Sequence, residues 1–200
     1  MNNFLLRALA ITAFAAAVPA LAASSQGDTA AVFTAQASQA GKTISFSLAD
    51  ALKSGPVVVY FYPSAYTGGC DIEAHEFATE AAKFAAAGAT IIGVSADSIQ
   101  RLDTFSADPN YCAGKFPVAS DPDGKIAASY GLKVTAADPK AKDERGVTID
   151  HGFIERTTFV IGRDGKIAAV LSSEADHLHP KDHVSKSLAL VEQMKNPKAP

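Results

Sequence analysis

VVVYFYPSAYTGGCDIEAHEF, residues 57–77, decides the fold. Val57 to Tyr62 is a run of β-branched and aromatic residues, bounded by Gly55-Pro56 before and Pro63 after, which predicts a buried strand. After Cys70, apolar residues recur at Ile72, Phe77, Ala81 and Phe84 with acids in the first turn, which predicts an amphipathic helix ended by Gly88. A lone cysteine thus falls at or near a helix N-terminus, where unpaired N–H groups and the macrodipole favour an anion. A thiolate is such an anion.

Outward from this stretch, Ala89 to Ser95 is a continuous apolar run typical of a central strand, which completes a β-α-β unit. Asp97 and Ser98 can cap a helix from Ile99 to about Ala107, stopped by Asp108-Pro109. Phe116 to Ala119 is strand-like, Ile126 to Tyr130 a short helix, and the polar stretch Gly131 to Phe153 an inserted surface loop. Arg156–Ile161 and Lys166–Leu171 flank Gly162-Arg163-Asp164-Gly165, a hairpin signature, and Val184 to Met194 closes as a helix. Upstream, Val32-Phe33 suggests an edge strand, Ser45 to Leu48 a second short strand, and Leu48 to Leu52 a turn-like or helical piece. This order predicts an α/β, thioredoxin-like sandwich with a mixed central sheet flanked by helices.

Met1 to Ala22 carries Arg7 as its only charge, an apolar stretch from Ala8 to Val18 and the small-residue site Pro19-Ala20-Leu21-Ala22, which reads as a signal peptide cut after Ala22 or Ala23. A membrane anchor is the alternative, but the apolar run is shorter than the ~20 residues a spanning helix needs. The expected mature chain, residues 23–200, is a soluble periplasmic or secreted domain with no membrane partner, and its length of about 175 residues suits one core. A net charge of −3 with mixed signs leaves no basic stripe for nucleic acid. Its two cysteines, Cys70 and Cys112, lie 42 positions apart (112 − 70). In an oxidising compartment they suit either a structural disulfide, stabilising by ~3–4 kcal/mol, or redox chemistry.

Pro63-Ser64-Ala65-Tyr66-Thr67-Gly68-Gly69-Cys70 has the pattern P-x-x-x-T-x-x-C and resembles the peroxiredoxins, thiol peroxidases on the thioredoxin fold. The likeness extends through Glu73, the segment Phe116 to Asp121 and Arg156 to Ile161, covers nearly all of the mature chain, and is most similar to the bacterioferritin-comigratory or Q type. It implies a thiolate at Cys70 that attacks a hydroperoxide. Only the thiolate attacks, yet lowering a thiol's pKa from ~8.5 to ~6 raises its reactive fraction at neutral pH only about thirtyfold. Fixed donors aimed at the departing oxygen must supply more, and one such donor is worth ~3–4 kcal/mol. The resemblance implies Thr67, Arg156 and the Cys70 N–H as those donors, with Pro63 shielding the sulfur. It implies no cofactor.

Each residue also has a plainer role: Thr67 as a helix N-cap, Arg156 as a strand surface charge, Pro63 as a strand end, and Gly69 as a turn residue. It is the four-part combination on a β-α-β frame that favours catalysis. In one branch of the resembled subgroup the resolving cysteine lies five residues on, where this chain has His75; in another it precedes the F-P-x-x-S-D segment, as Cys112 does. The resemblance therefore implies an intramolecular Cys70–Cys112 disulfide, formed after the first helical turn unwinds, a monomer, and a thioredoxin-like external reductant. The alternative is an inert Cys112 and an external resolving thiol.

Two envelope functions share the expected fold. A thiol-disulfide oxidoreductase needs C-x-x-C, where this chain has Glu73, and a copper-delivery protein needs C-x-x-x-C, where it has Ala74. His177 and His179 present a possible metal pair, but the stretch reads better as a solvated loop before a helix, and no metal is expected.

Overall fold

The computed structural model describes residues 23–195; the leader expected over Met1–Ala22 lies outside the described residues. The strands are β1 (Thr34–Gln39), β2 (Lys42–Ser47), β3 (Val57–Phe61), β4 (Thr90–Ser95), β5 (Val118–Ser120), β6 (Thr157–Ile161) and β7 (Ile167–Ser172). They form one sheet in the order β2-β1-β5-β4-β3-β6-β7. Strands β3, β4 and β5 run parallel, and the two outer pairs are antiparallel, so the sheet is mixed as expected. The helices are α1 (Leu48–Ser54), α2 (Gly68–Ala86), α3 (Ile99–Ala107), α4 (Lys125–Ser129) and α5 (Pro180–Lys195).

Every residue of β3 is buried because its two faces serve two cores. Val58 and Tyr60, with Tyr62 just beyond the strand, pack with residues of α2, α3 and α5; Val57, Val59 and Phe61 pack with residues of α1 and α4. The Tyr60 ring stacks on Phe77 of α2 at 4.5 Å and meets Phe116 edge-on at 6.0 Å. Opposite Tyr60 on β4 stands Gly93, where a Cβ would come within 2.6 Å of the tyrosine ring. The missing side chain leaves room for the aromatic stack that seats α2 on the sheet.

The N-terminal hairpin differs from the sequence expectation. Val32 is exposed, and the first strand begins two residues later, at Thr34. Its sequence, TAQASQ, has little β propensity of its own; pairing with both β2 and β5 makes it a strand. Ala40 and Gly41, both at positive φ (51° and 76°), form the tight turn to β2, whose twist matches the flanking strands. In α2, Ile72 is 47% exposed, whereas Cys70, Asp71, Glu73, Ala74, Phe77 and Phe84 form the buried face. The two acids of the first turn, Asp71 and Glu73, are turned inward, and Ile72, placed by the sequence on the apolar face, is turned out. The 131–153 segment is largely irregular, as expected, but Asp143 and Ile149 are buried in it.

Candidate active site

The chain leaves β3 at Phe61, crosses Pro63 and enters α2 at Gly68, which places Cys70 at the carboxyl end of the parallel strands, where open α/β sheets commonly bind ligands. The connecting turn is held rigidly. Asp97, buried at the end of β4, accepts from the Ser64 hydroxyl at 3.0 Å, the Ala65 N–H at 2.8 Å and Ser95 Oγ at 2.8 Å. Arg101 pairs with Asp97 through Nε at 2.8 Å and with Asp143 through Nη2 at 2.9 Å, tying the turn to the 131–153 segment. Tyr66 sits at φ 62°, a left-handed conformation strained for an aromatic residue. Its ring is clamped edge-on by Phe105 and Tyr111, the Arg145 guanidinium lies 3.2 Å from its centroid, and its carbonyl accepts from the Glu144 N–H at 3.0 Å.

His151 adds a charge to this scaffold. Its Nδ1 faces the Gly152 carbonyl at 2.9 Å and its Nε2 faces Asp97 Oδ1 at 2.9 Å. Both partners are acceptors, so both ring nitrogens must carry protons and His151 is an imidazolium. Burial alone lowers its pKa, but the Asp97 hydrogen bond and charge outweigh burial and raise it.

The Cys70 sulfur is almost wholly buried, at 2% exposure. Arg156, immediately before β6, donates from Nη2 to Cys70 Sγ at 3.1 Å, and from Nη1 to Glu73, one helical turn beyond the cysteine. The Ser64 N–H and the Thr67 hydroxyl also face the sulfur. Thr67 occupies the N-cap position, yet its hydroxyl makes no capping bond and donates instead to the Ser64 carbonyl at 2.7 Å. Its lone pairs are thereby left free for an incoming O–H. Gly69 does more than turn the chain: a Cβ there would meet Arg156 Nη2 at 3.2 Å. Pro63 is half-buried at the start of the turn. The Cys70 N–H, expected as an open donor, is engaged by the Thr67 carbonyl at 2.8 Å.

The electrostatics correct one expectation. A helix N-terminus beside arginine predicts a depressed thiol pKa, but burial pushes the Cys70 thiol up by more than Arg156, the Ser64 N–H and the Thr67 hydroxyl pull it down. Glu73, fully buried beyond Arg156, is raised to about 7 by burial, against the pull of the guanidinium. Its Oε1 has no hydrogen-bond partner among the described residues and lies 3.9 Å from His183 Nδ1 of α5. His183 is neutral, lowered to about 4 by burial and the Arg156 charge, and is fixed by Thr158 at 3.0 Å and Ser173 at 2.9 Å. The site is thus a buried sulfur with the Arg156 cation and the Ser64 N–H as donors and the Thr67 hydroxyl turned as an acceptor beside it.

Cys112 lies fully buried in the turn between α3 and β5, in the same core cluster as Cys70, and both are free thiols. Sequence reasoning reached Cys70, Thr67 and Arg156, which the structure brings together. It did not reach Ser64, Asp97, His151, His183 or the inward face of Asp71. Glu73 carried a signal, since three residues after Cys70 is the same helical face. His151 and Asp143, in a polar loop without periodicity, carried none.

The AhpC/TSA family model matches residues 26–170. The peroxiredoxin Bcp of Bacillus subtilis is 33% identical over 138 residues, 69% of this chain and 78% of that one. The crystal structure of the peroxidoxin BcpB from Mycobacterium tuberculosis superposes with a TM-score of 0.67 at 32% identity, over 85% of this chain and 97% of that one. A bacterioferritin comigratory protein from Xanthomonas campestris, whose structure is described for its alkyl peroxide reduction activity, matches at TM-score 0.63 and 26% identity, over 82% and 92%. The chain belongs to the AhpC/TSA family and, within it, to the bacterioferritin-comigratory peroxiredoxins.

Proposed function

We propose that this thiol-dependent peroxidase uses Cys70 as the sulfur that attacks the hydroperoxide and Cys112 as the thiol that resolves it within the same chain. The observation that carries the reading is the Arg156 guanidinium, 3.1 Å from Cys70 Sγ and locked from behind by Glu73. The thiolate attacks the nearer peroxide oxygen, a sulfur–oxygen bond forms, the O–O bond breaks, and the departing hydroxide or alkoxide takes a proton to leave as water or alcohol. Arg156, held by Glu73, points one donor at the region where charge builds, and the Ser64 N–H adds another. The Thr67 hydroxyl, with its proton on the Ser64 carbonyl, accepts from the peroxide O–H and orients it. Because burial holds the thiol pKa up, acceleration rests on these preorganised donors more than on ionisation.

The sulfenic acid left on Cys70 then condenses with Cys112 after the first turn of α2 unwinds around Gly68 and Gly69. A thioredoxin-like protein reduces the disulfide. The composition of residues 1–22 supports an enzyme exported to the periplasm or outside the cell, and the likeness to the bacterioferritin-comigratory type supports a monomer. The test is hydroperoxide consumption with a generic dithiol reductant in the parent, Cys70→Ser and Cys112→Ser. The expected result is turnover in the parent, none in Cys70→Ser, and in Cys112→Ser a sulfenic acid that persists without an intramolecular disulfide. Turnover in Cys70→Ser, or an unchanged disulfide pattern in Cys112→Ser, overturns the assignment.

A further inference from the structure

Asp71 directly follows Cys70 and is buried, at 7% exposure, and neither of its carboxylate oxygens has a hydrogen-bond partner among the described residues. An acid in a first helical turn ordinarily faces water and helps to offset the helix dipole. This one instead faces the turn that carries Cys112. It lines a groove of about 320 Å³ with Asn110 and Tyr111, the two residues before Cys112. Among the charges that act on the Cys112 thiol, Asp71 is the strongest, followed by Asp108.

The other groups facing Asp71 come from four elements. Glu144 and Arg145 approach from the 131–153 segment, and the Tyr66 and Thr67 N–H groups face it from the catalytic turn, outside hydrogen-bond geometry. His75 and Glu76 of α2 and Lys181 of α5 line the same groove. Burial, then Glu144, raises the Asp71 carboxyl to about 7, the N–H groups and Arg145 opposing. Burial, then Asp71 and Asp108, raises the Cys112 thiol well above its ordinary range. Such a thiol cannot attack without a base, and the pair offers one.

We propose that Asp71 is the general base of the resolving step, taking the Cys112 thiol proton as that sulfur attacks the Cys70 sulfenic acid. The inference rests on Cys112 being the resolving cysteine. The carboxylate accepts the proton, the Cys112 sulfur forms the S–S bond and is oxidised, the Cys70 S–O bond breaks and that sulfur is reduced, and the leaving hydroxide recovers the proton from Asp71 to become water. Chain adjacency carries the base along when the first turn of α2 unwinds, so it stays beside the sulfur under attack.

The test is quench-flow with mass spectrometry, following only the conversion of a preformed Cys70 sulfenic acid to the intramolecular disulfide. It spans two pH units on either side of the Asp71 value of about 7 in the parent, Asp71→Asn, Asp71→Glu and Cys112→Ser. In the parent the rate should rise with pH and level off above about 7. Asp71→Asn should be slower by roughly a hundredfold, with no levelling and a rate that climbs with hydroxide instead. Asp71→Glu should restore the levelling profile. Asp71→Asn resolving at the parental rate and profile, or Asp71→Glu as slow as Asp71→Asn, overturns the role of Asp71 while leaving Cys112 in place. Absence of a Cys70–Cys112 disulfide in the parent, or its apparent persistence in Cys112→Ser, overturns the resolving assignment and the inference with it.

Discussion

Arg156→Met replaces the cation on the catalytic sulfur by an uncharged chain. A unit charge 3.1 Å from the sulfur interacts with a thiolate by about 5 kcal/mol at an effective dielectric of ~20. The same group donates to the departing oxygen, and loss of one such donor raises a barrier by ~3–4 kcal/mol, roughly a hundred- to a thousandfold in rate. The substitution also strands Glu73, fully buried beside the vacated position. Breaking a buried pair costs ~3–5 kcal/mol when the remaining charge must stay charged. Glu73, already raised to about 7 by burial, escapes part of that cost by taking a proton. Its folded-state pKa lies above the carboxylate range, so the stability it contributes is complete at acid pH and falls as pH rises through about 7. Without the guanidinium that window moves up, and Arg156→Met should lose most stability on the alkaline side. Arg156→Met/Glu73→Gln should recover stability without recovering rate. The assay is the second-order rate of Cys70 oxidation by hydrogen peroxide, read by quenched mass spectrometry, beside denaturant unfolding at several pH values. Less than about a threefold loss of rate in the single variant, or recovery of rate in the double variant, would refute the role given to Arg156.

Gly69→Ala would press a methyl to 3.2 Å from Arg156 Nη2, displacing the donor by a few tenths of an ångström; the peroxide step should slow by about tenfold with little change in thermal midpoint, and parental rates would contradict this. His151→Gln removes the imidazolium through which the 131–153 segment meets Asp97. Because the His151 pKa is raised in the fold, its stabilisation is complete below the ordinary histidine value and is lost as pH rises through the folded value. The stability gap between parent and variant should therefore shrink from acid to alkaline pH in urea unfolding, and a constant gap would show that the charge plays no part. Phe77→Ala empties the fully buried position under α2 and should cost ~3–5 kcal/mol by the same measurement; a cost under about 1 kcal/mol would show that the stack on Tyr60 does not seat the helix.

The β-α-β frame is legible in the sequence because both parallel strands are apolar on two faces and the helix between them is bounded by turn residues. Cys70, Thr67 and Arg156 are legible because their spacing repeats a family pattern, and the structure gives that pattern a geometry. β1 is obscure because its strand character comes from its two neighbours and not from TAQASQ itself. The inward turn of Asp71 and Glu73 is obscure because acids in a first helical turn ordinarily read as solvated. The Asp97–His151 contact joins positions 54 residues apart, and although Asp97 reads as a helix cap, nothing in the sequence pairs it with His151. Most consequential is the thiol pKa. Helix position and arginine argue for ionisation, and only the depth of burial, which the sequence does not state, reverses the balance.

That reversal sharpens the mechanism, since a sulfur that is not strongly ionised must owe its reactivity to the donors placed around it. The direct measurement pairs two numbers on the reduced protein: the titration of the Cys70 thiol by its ultraviolet thiolate absorbance in Cys112→Ser, and the rate at which that thiol reacts with hydrogen peroxide. An undepressed pKa together with oxidation at least about a thousandfold faster per thiolate than that of free cysteine is expected. A per-thiolate rate equal to that of free cysteine, whatever the pKa, would contradict it.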